Sequence, residues 1–384
     1  MMRRDALLSL ALVPLLAAPL LAQSSQFGVR GLGLPGRAAS ARVIATGGAM
    51  GLFDGESSQN PAALATLSMT TAVFTMANAY RTSVNPSGTA TGQDHRFPQL
   101  LIGGPVPRSR FVVAASYSMF ADRDFQLVSS GFASPRGVPI GVTDTLTSRG
   151  GIADMRIATA YAISPRFIVG GGVHFLTGSN RMSTRRVWAD DDYAALDERA
   201  ELSFHTIGFS GGVLLRPTPR LDLAATIRRD GTLQIERDST PSSKVAMPMT
   251  ISGAARLHLS RSLDLAGSVT LRNWSRADAG LVGAGAVGSR DTKEYSAGVE
   301  LFSDARRTAH KPLRLGVRYA DLPFLLDATG QPDELGLSIG TGVRFARDLG
   351  GLDLAVERVK RTQGSGYSET AWQVTLGISV RPGT

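Results

Sequence analysis

Apolar side chains recur at every second position in roughly fourteen runs between Met69 and Val380, and the residues between them are small or polar. The last run shows it best: Trp372, Val374, Leu376, Ile378 and Val380 alternate with Gln373, Thr375, Gly377, Ser379 and Arg381. The run before it sets Leu335, Leu337, Ile339, Thr341, Val343 and Phe345 against Gly336, Ser338, Gly340, Gly342 and Arg344. A period of two is the side-chain period of a β-strand, so each run carries one greasy and one polar face. Such strands close in two ways: with the greasy face inside and charges in water, or with the greasy face against lipid around a wet lumen.

The ends and composition decide between them. Arg3 and Arg4 precede an apolar stretch, Ala6–Leu21, that contains Pro14 and Pro19. At about sixteen residues it falls short of the roughly twenty a spanning helix needs, so residues 1–22 read as a secretory signal peptide. No later segment is a continuous apolar run of that length, which excludes an inner-membrane helical protein. Cysteine is absent, which removes a lipoprotein anchor, a disulfide framework and thiolate metal sites. The mean hydropathy of +0.01 suits a barrel in which only alternate residues meet lipid. The net charge of +9 fits lipopolysaccharide phosphates or an anion-attracting lumen; no nucleic-acid-binding motif accompanies it.

The connectors set the topology. Short ones fall at Pro107–Ser109, Ser164–Pro165, Pro217–Pro219, Ser260–Ser262, Asp304–Lys311 and Arg347–Gly350. Longer ones fall at Arg81–Arg96, Ala121–Gly150, Gly178–Arg199, Asp230–Val245, Ser275–Arg290, Asp321–Asp333 and Thr362–Tyr367. Short periplasmic turns alternating with long external loops imply about fourteen strands with both chain ends periplasmic. The expected fold is therefore all-β: a transmembrane antiparallel barrel over residues 69–384 of the bacterial outer membrane. Parity points Leu313, Leu315, Val317 and Tyr319 outward. It points Arg156, Asp222, Arg228, Arg256, Asp264, Arg272, Glu300, Arg314, Arg318, Arg344 and Asp353 inward, since an Arg or Lys facing mid-bilayer lipid costs about 2–4 kcal/mol.

Residues 23–68 do not alternate, and their length and glycine content suit a compact plug or a periplasmic lead-in. Pro61 is placed to start a short helix capped by Asn60. The order Gly28-Val-Arg30-Gly31-Leu-Gly33, then Asp54, then Asn60-Pro61-Ala62-Ala-Leu64-Ala65 before a barrel resembles the FadL-type long-chain fatty-acid transporters of the outer membrane. That resemblance implies a fourteen-stranded barrel with residues 23–68 as a hatch inside it. It also implies Gly31, Gly33, Asp54, Asn60, Pro61 and Ala62 as hatch or gating residues. Hydrophobic ligand would be captured outside and released sideways through a gap beside a kinked strand. The chain departs from the family at Leu34-Pro35-Gly36-Arg37, and it lacks the terminal aromatic that the barrel-assembly machinery reads, ending Val380-Arg-Pro-Gly-Thr384.

Candidate sites follow. Arg256, Arg272, Arg314, Arg318 and Arg344 are lumen candidates for a ligand carboxylate; the alternative is a salt-bridge ladder with Asp264, Glu300, Asp353 and Glu357. Leu322, Phe324, Leu325 and Leu326 form either an external patch for hydrophobic capture or a loop folded over the mouth. Asp190, Asp191 and Asp192 read as a solvated loop before a metal site. Among the five histidines no Ser/His or Asp/His arrangement stands out, so the reading is of a non-enzyme without cofactor. The leading function is transport of a hydrophobic molecule such as a long-chain fatty acid. The alternatives are a structural or secretion-associated barrel that passes nothing, and an anion-leaning diffusive porin.

Overall fold

A computed structural model describes residues 25–382 except 87, 136, 239, 283–287, 303–310, 329 and 365. The expected leader and most of the Asp304–Lys311 connector lie outside the described residues. In chain order the strands are β1 (Leu34–Pro35), β2 (Thr71–Asn85), β3 (Gly88–Pro105), β4 (Phe111–Asp122), β5 (Phe125–Ala133) and β6 (Ile140–Ser164). Next come β7 (Phe167–Trp188), β8 (Leu196–Thr218), β9 (Leu221–Asp230), β10 (Thr232–Arg237), β11 (Thr240–Ala246) and β12 (Met249–Ser260). Then follow β13 (Leu263–Arg272), β14 (Thr292–Leu301), β15 (Leu313–Asp321), β16 (Asp333–Phe345), β17 (Gly350–Gln363) and β18 (Tyr367–Val380). All pairings are antiparallel and β18 closes on β2. With β1, β5, β10 and β11 outside the ring, the wall is a closed barrel of 14 strands.

The parity holds along the wall. Leu313, Leu315, Val317 and Tyr319 are exposed on the outside, as are Met155, Ile157, Trp372 and Val374, while Glu300, Arg314, Arg318 and Asp353 are buried inside. A greasy exterior of this extent is the surface a barrel presents to lipid. Apart from Asp304–Lys311, the short connectors match the expected positions, but several long ones do not behave as loops. Most of Arg81–Arg96 is the β2–β3 hairpin, and Gly178–Arg199 is largely β7 and β8. Beyond a bilayer both strand faces meet water, so the alternation that marks a strand disappears there. The 25 residues of β6 would span about 80 Å when extended, far more than a tilted crossing requires.

Residues 25–68 lie against the inner face of the barrel. The short helix α1 (Ala41–Ala45) packs on β15–β18, with the Ser338 hydroxyl donating to the Ala45 carbonyl at 3.2 Å. Farther along, a 3-10 helix (Pro61–Thr66) packs on β6, β7 and β8. Asn60 caps it: its Oδ1 accepts from the Ala62 N–H at 3.0 Å, and its Nδ2 donates to the Leu52 carbonyl at 2.8 Å. Asn60 is fully buried, so Asn60→Ala strands a donor and an acceptor. The variant is expected to lose about 1–2 kcal/mol, read as a lower urea midpoint of the folded barrel.

Candidate functional site

The wall is not continuous. β3 and β4 pair from Pro105↔Val112 to Gln99↔Ser118, and residues 88–98 of β3 then pair with β2 alone. At the point of separation β3 is bulged, with Phe97 and Pro98 opposite the single Met76 between Thr75↔Gln99 and Ala77↔Arg96. Pro98 has no N–H to give to a ladder, and a bulge bends the strand that carries it. The edge of β4 that β3 leaves is taken from inside by β1, with Leu34 opposite Asp122 and Pro35 opposite Ala121. Next to it the Gly36 N–H donates to the Phe120 carbonyl at 2.9 Å. Glycine is required on both sides of β1: a Cβ at Gly33, where φ is +99°, would strike the Asp122 carbonyl, and one at Gly36 the Met119 carbonyl. Arg96 of β3 spans the break by pairing with both Asp94 and Asp122.

Ion pairs fasten the inner segment to the wall. Arg37 donates to Glu357, Arg42 to Glu300 (Nη2–Oε2 2.5 Å), and Arg381 to Glu56 at 2.6 Å. Ser25 Oγ and the Gln26 N–H both donate to Glu369 near the β17–β18 turn. Asp54 accepts from Ser40 Oγ at 2.6 Å, which also caps α1. The Glu300 carboxylate holds the Arg42 guanidinium above its ordinary value. Burial, and then the nearby Asp54 carboxylate, push the Glu56 carboxyl above the usual range against the pull of Arg344 and Arg381.

Three cavities lie along the segment. At the end with the long connectors, a groove of about 860 Å³ is lined by Leu32, Leu202, Phe204, Ile235 and Leu281 together with Arg30, Arg123, Glu198, Arg199 and Arg237. Deeper in the barrel a cavity of about 110 Å³ abuts the break, lined there by Pro35, Arg96, Pro98 and Met119. A neighbouring cavity of about 150 Å³ shares Pro35–Arg37, Arg272 and Trp274 with it and reaches Asp154, His174 and Ser210 on the opposite side.

Gly31 (φ +56°) lies against the Phe324 ring, Gly33 flanks β1, and Asp54, Asn60, Pro61 and Ala62 are buried inside the barrel. The five lumen arginines are each ion-paired and form no free cationic patch. Arg256 pairs with Asp222, Arg272 with Glu294 at 3.0 Å, and Arg314 with Glu300 and Asp353 at 2.7 and 2.6 Å. Arg318 pairs with Glu334, and Arg344 with Asp353 at 3.2 Å. Leu322, Phe324 and Leu325 are buried, not displayed, and Leu326 is half-buried. The loop folds inward because Phe324 packs edge-on against Trp274 (5.1 Å between centroids) and Leu322 packs with Phe27 and Leu34.

Two features escaped the sequence reading. The β3–β4 break had a signal in Phe97-Pro98, but the preceding stretch read as a loop, where a proline is unremarkable. The meeting of Asp154, His174 and Ser210 needs the register of β6, β7 and β8, which spacing in the chain does not supply.

The closed antiparallel wall of 14 strands is the fold of the FadL-type outer-membrane barrels. Among solved structures, the chain is similar to a FadL homologue of Pseudomonas aeruginosa, at 13% identity and TM-score 0.61, covering 91% of this chain and 99% of that one. It is also similar to the toluene transporter TodX of P. putida, at 14% identity and TM-score 0.59, covering 91% of this chain and 100% of that one. The Ralstonia pickettii toluene transporter TbuX gives 14% identity and TM-score 0.58, with 91% and 99% covered. No protein-family model and no curated protein matches the chain.

Proposed function

We propose that the chain carries small hydrophobic molecules across the outer membrane, with residues 23–68 as the hatch. The observation that carries this reading is β1 sitting on the β4 edge that β3 has left, with a cavity directly behind it. With the short turns in the periplasm and the long connectors outside, the ligand is captured in the external groove, whose floor is built on Leu32 beside Trp274 and Phe324. It descends to the inner cavities and leaves sideways into lipid when Gly33–Gly36 withdraw from β4. Exposed arginines of the projecting strands, such as Arg181, would meet lipopolysaccharide phosphates.

The substrate is narrowed by size. The resemblance in sequence implies a long-chain fatty acid, and two of the similar structures are toluene transporters. The cavity of about 150 Å³ has the volume for a one-ring hydrophobe, whereas an eighteen-carbon chain needs it joined to the cavity of about 110 Å³ by movement of Pro35–Arg37. The test is uptake of labelled toluene and labelled oleate by cells that lack their own transporter and express the chain. Saturable toluene uptake is expected, and Ala320→Phe, which fills the cavity behind the break, should lower it by about tenfold or more. Uptake of oleate alone would favour the fatty-acid reading. Uptake of neither by a folded barrel would favour a structural role.

A further inference from the structure

The cavity of about 150 Å³ on the ligand's path is lined by a constellation whose chemistry transport does not require. Asp154 on β6, His174 on β7 and Ser210 on β8 are neighbours on the inner face of three consecutive strands. His174 Nδ1 lies 2.9 and 3.0 Å from the two Asp154 carboxylate oxygens, and its Nε2 lies 2.8 Å from Ser210 Oγ. With the carboxylate on Nδ1, that nitrogen carries the proton and Nε2 presents its lone pair to the serine hydroxyl. His174 is 2% exposed and Asp154 4%, and Arg228 Nη1 donates to the carboxylate Oδ2 at 2.6 Å.

A second observation concerns the space in front of the serine. Arg156, 3% exposed, donates from Nη1 to the Ser58 carbonyl at 2.8 Å, while its Nε and Nη2 have no hydrogen-bond partner among the described residues. A Cβ at Gly172 would lie 2.9 Å from Ser210 Oγ and 3.4 Å from Arg156 Cδ, so this glycine keeps open the space between the serine and the stem of Arg156. Asp154, His174 and Ser210 line the cavity of about 150 Å³, which has room for a short acyl group, and Ser58, whose carbonyl Arg156 holds, lines it too.

We propose that Ser210 is an activated nucleophile that hydrolyses small carboxylic esters inside the barrel. Ser210 Oγ bonds to the ester carbonyl carbon as its proton passes to His174 Nε2. The carbonyl π electrons move onto oxygen, and the unpartnered Arg156 N–H groups supply donors for the oxyanion. Collapse re-forms the carbonyl and breaks the bond to the alkoxy oxygen, which leaves as the alcohol with the proton from the imidazolium. Water then attacks the acyl-serine by the same route, giving the carboxylic acid and free Ser210. Asp154 acts through His174 and is a positioning residue.

The test uses the full-length barrel folded in detergent, a small dialkyl fluorophosphate probe, and p-nitrophenyl acetate. One adduct per chain on Ser210 is expected by peptide mass, with hydrolysis of p-nitrophenyl acetate in Ser210→Ala reduced to that of the heat-denatured barrel. His174→Gln should slow labelling by about 100-fold or more, and Gly172→Ala, which crowds the serine, should leave a folded but unlabelled barrel. Absence of a Ser210 adduct on the folded wild type overturns the proposal. So does hydrolysis unchanged in Ser210→Ala, or labelling equally fast in a folded His174→Gln. If His174→Gln does not fold, the adduct site and Ser210→Ala decide the matter.

Discussion

Replacing Glu300 by alanine is expected to destabilise the barrel by about 3–5 kcal/mol and to release the inner segment. Glu300 is fully buried. It accepts from Arg42 Nε and Nη2 at 3.1 and 2.5 Å and from Arg314 Nε at 2.7 Å, while Arg314 Nη1 also donates to Asp353 at 2.6 Å. Removing this carboxylate takes the salt-bridge partner from Arg42 and leaves buried Arg314 with Asp353, which Arg344 also uses, and an unpaired buried charge costs more than a surface pair ever returns. Because Arg42 belongs to α1, the same substitution cuts a tie between residues 25–68 and the wall. A lower urea midpoint together with faster proteolysis within 25–68 is the expected result. An unchanged midpoint would mean that the pair network contributes little and that packing alone holds the segment.

The sequence made the wall legible because lipid enforces parity. Every residue of the run Leu313–Tyr319 falls on its expected face, since a slip of one position would turn Arg314 and Arg318 into the bilayer. The cap at Asn60 was legible for a local reason: Asn-Pro followed by good helix formers leaves few other conformations. Outside the bilayer the constraint lapses, which is why the β2–β3 and β7–β8 extensions looked like loops. The partners of the inward charges were hidden for a different reason. Parity places Arg318 inside, but only the register Arg318↔Gly336 and Ala320↔Glu334 brings Glu334 diagonally beside it. The buried fate of Leu322–Leu325 depends on Trp274, some fifty residues earlier in the chain, and no local pattern reports that contact.

The break and its seal are the centre of the account, and a reversible lock tests them. Pro35 and Ala121 are directly opposed in the β1–β4 pair. Opposed residues of an antiparallel pair have Cα atoms about 4.5–5.5 Å apart, within the range of about 4.4–6.8 Å that a disulfide bridges. The chain has no cysteine of its own, so Pro35→Cys with Ala121→Cys gives one defined cross-link. If the ligand leaves by displacing β1 from β4, the oxidised double variant takes up labelled toluene at least about tenfold more slowly than the same protein after reduction. Reduction should restore the rate of the parent chain. Equal uptake before and after reduction, with cross-linking shown to be complete, would contradict the lateral gate.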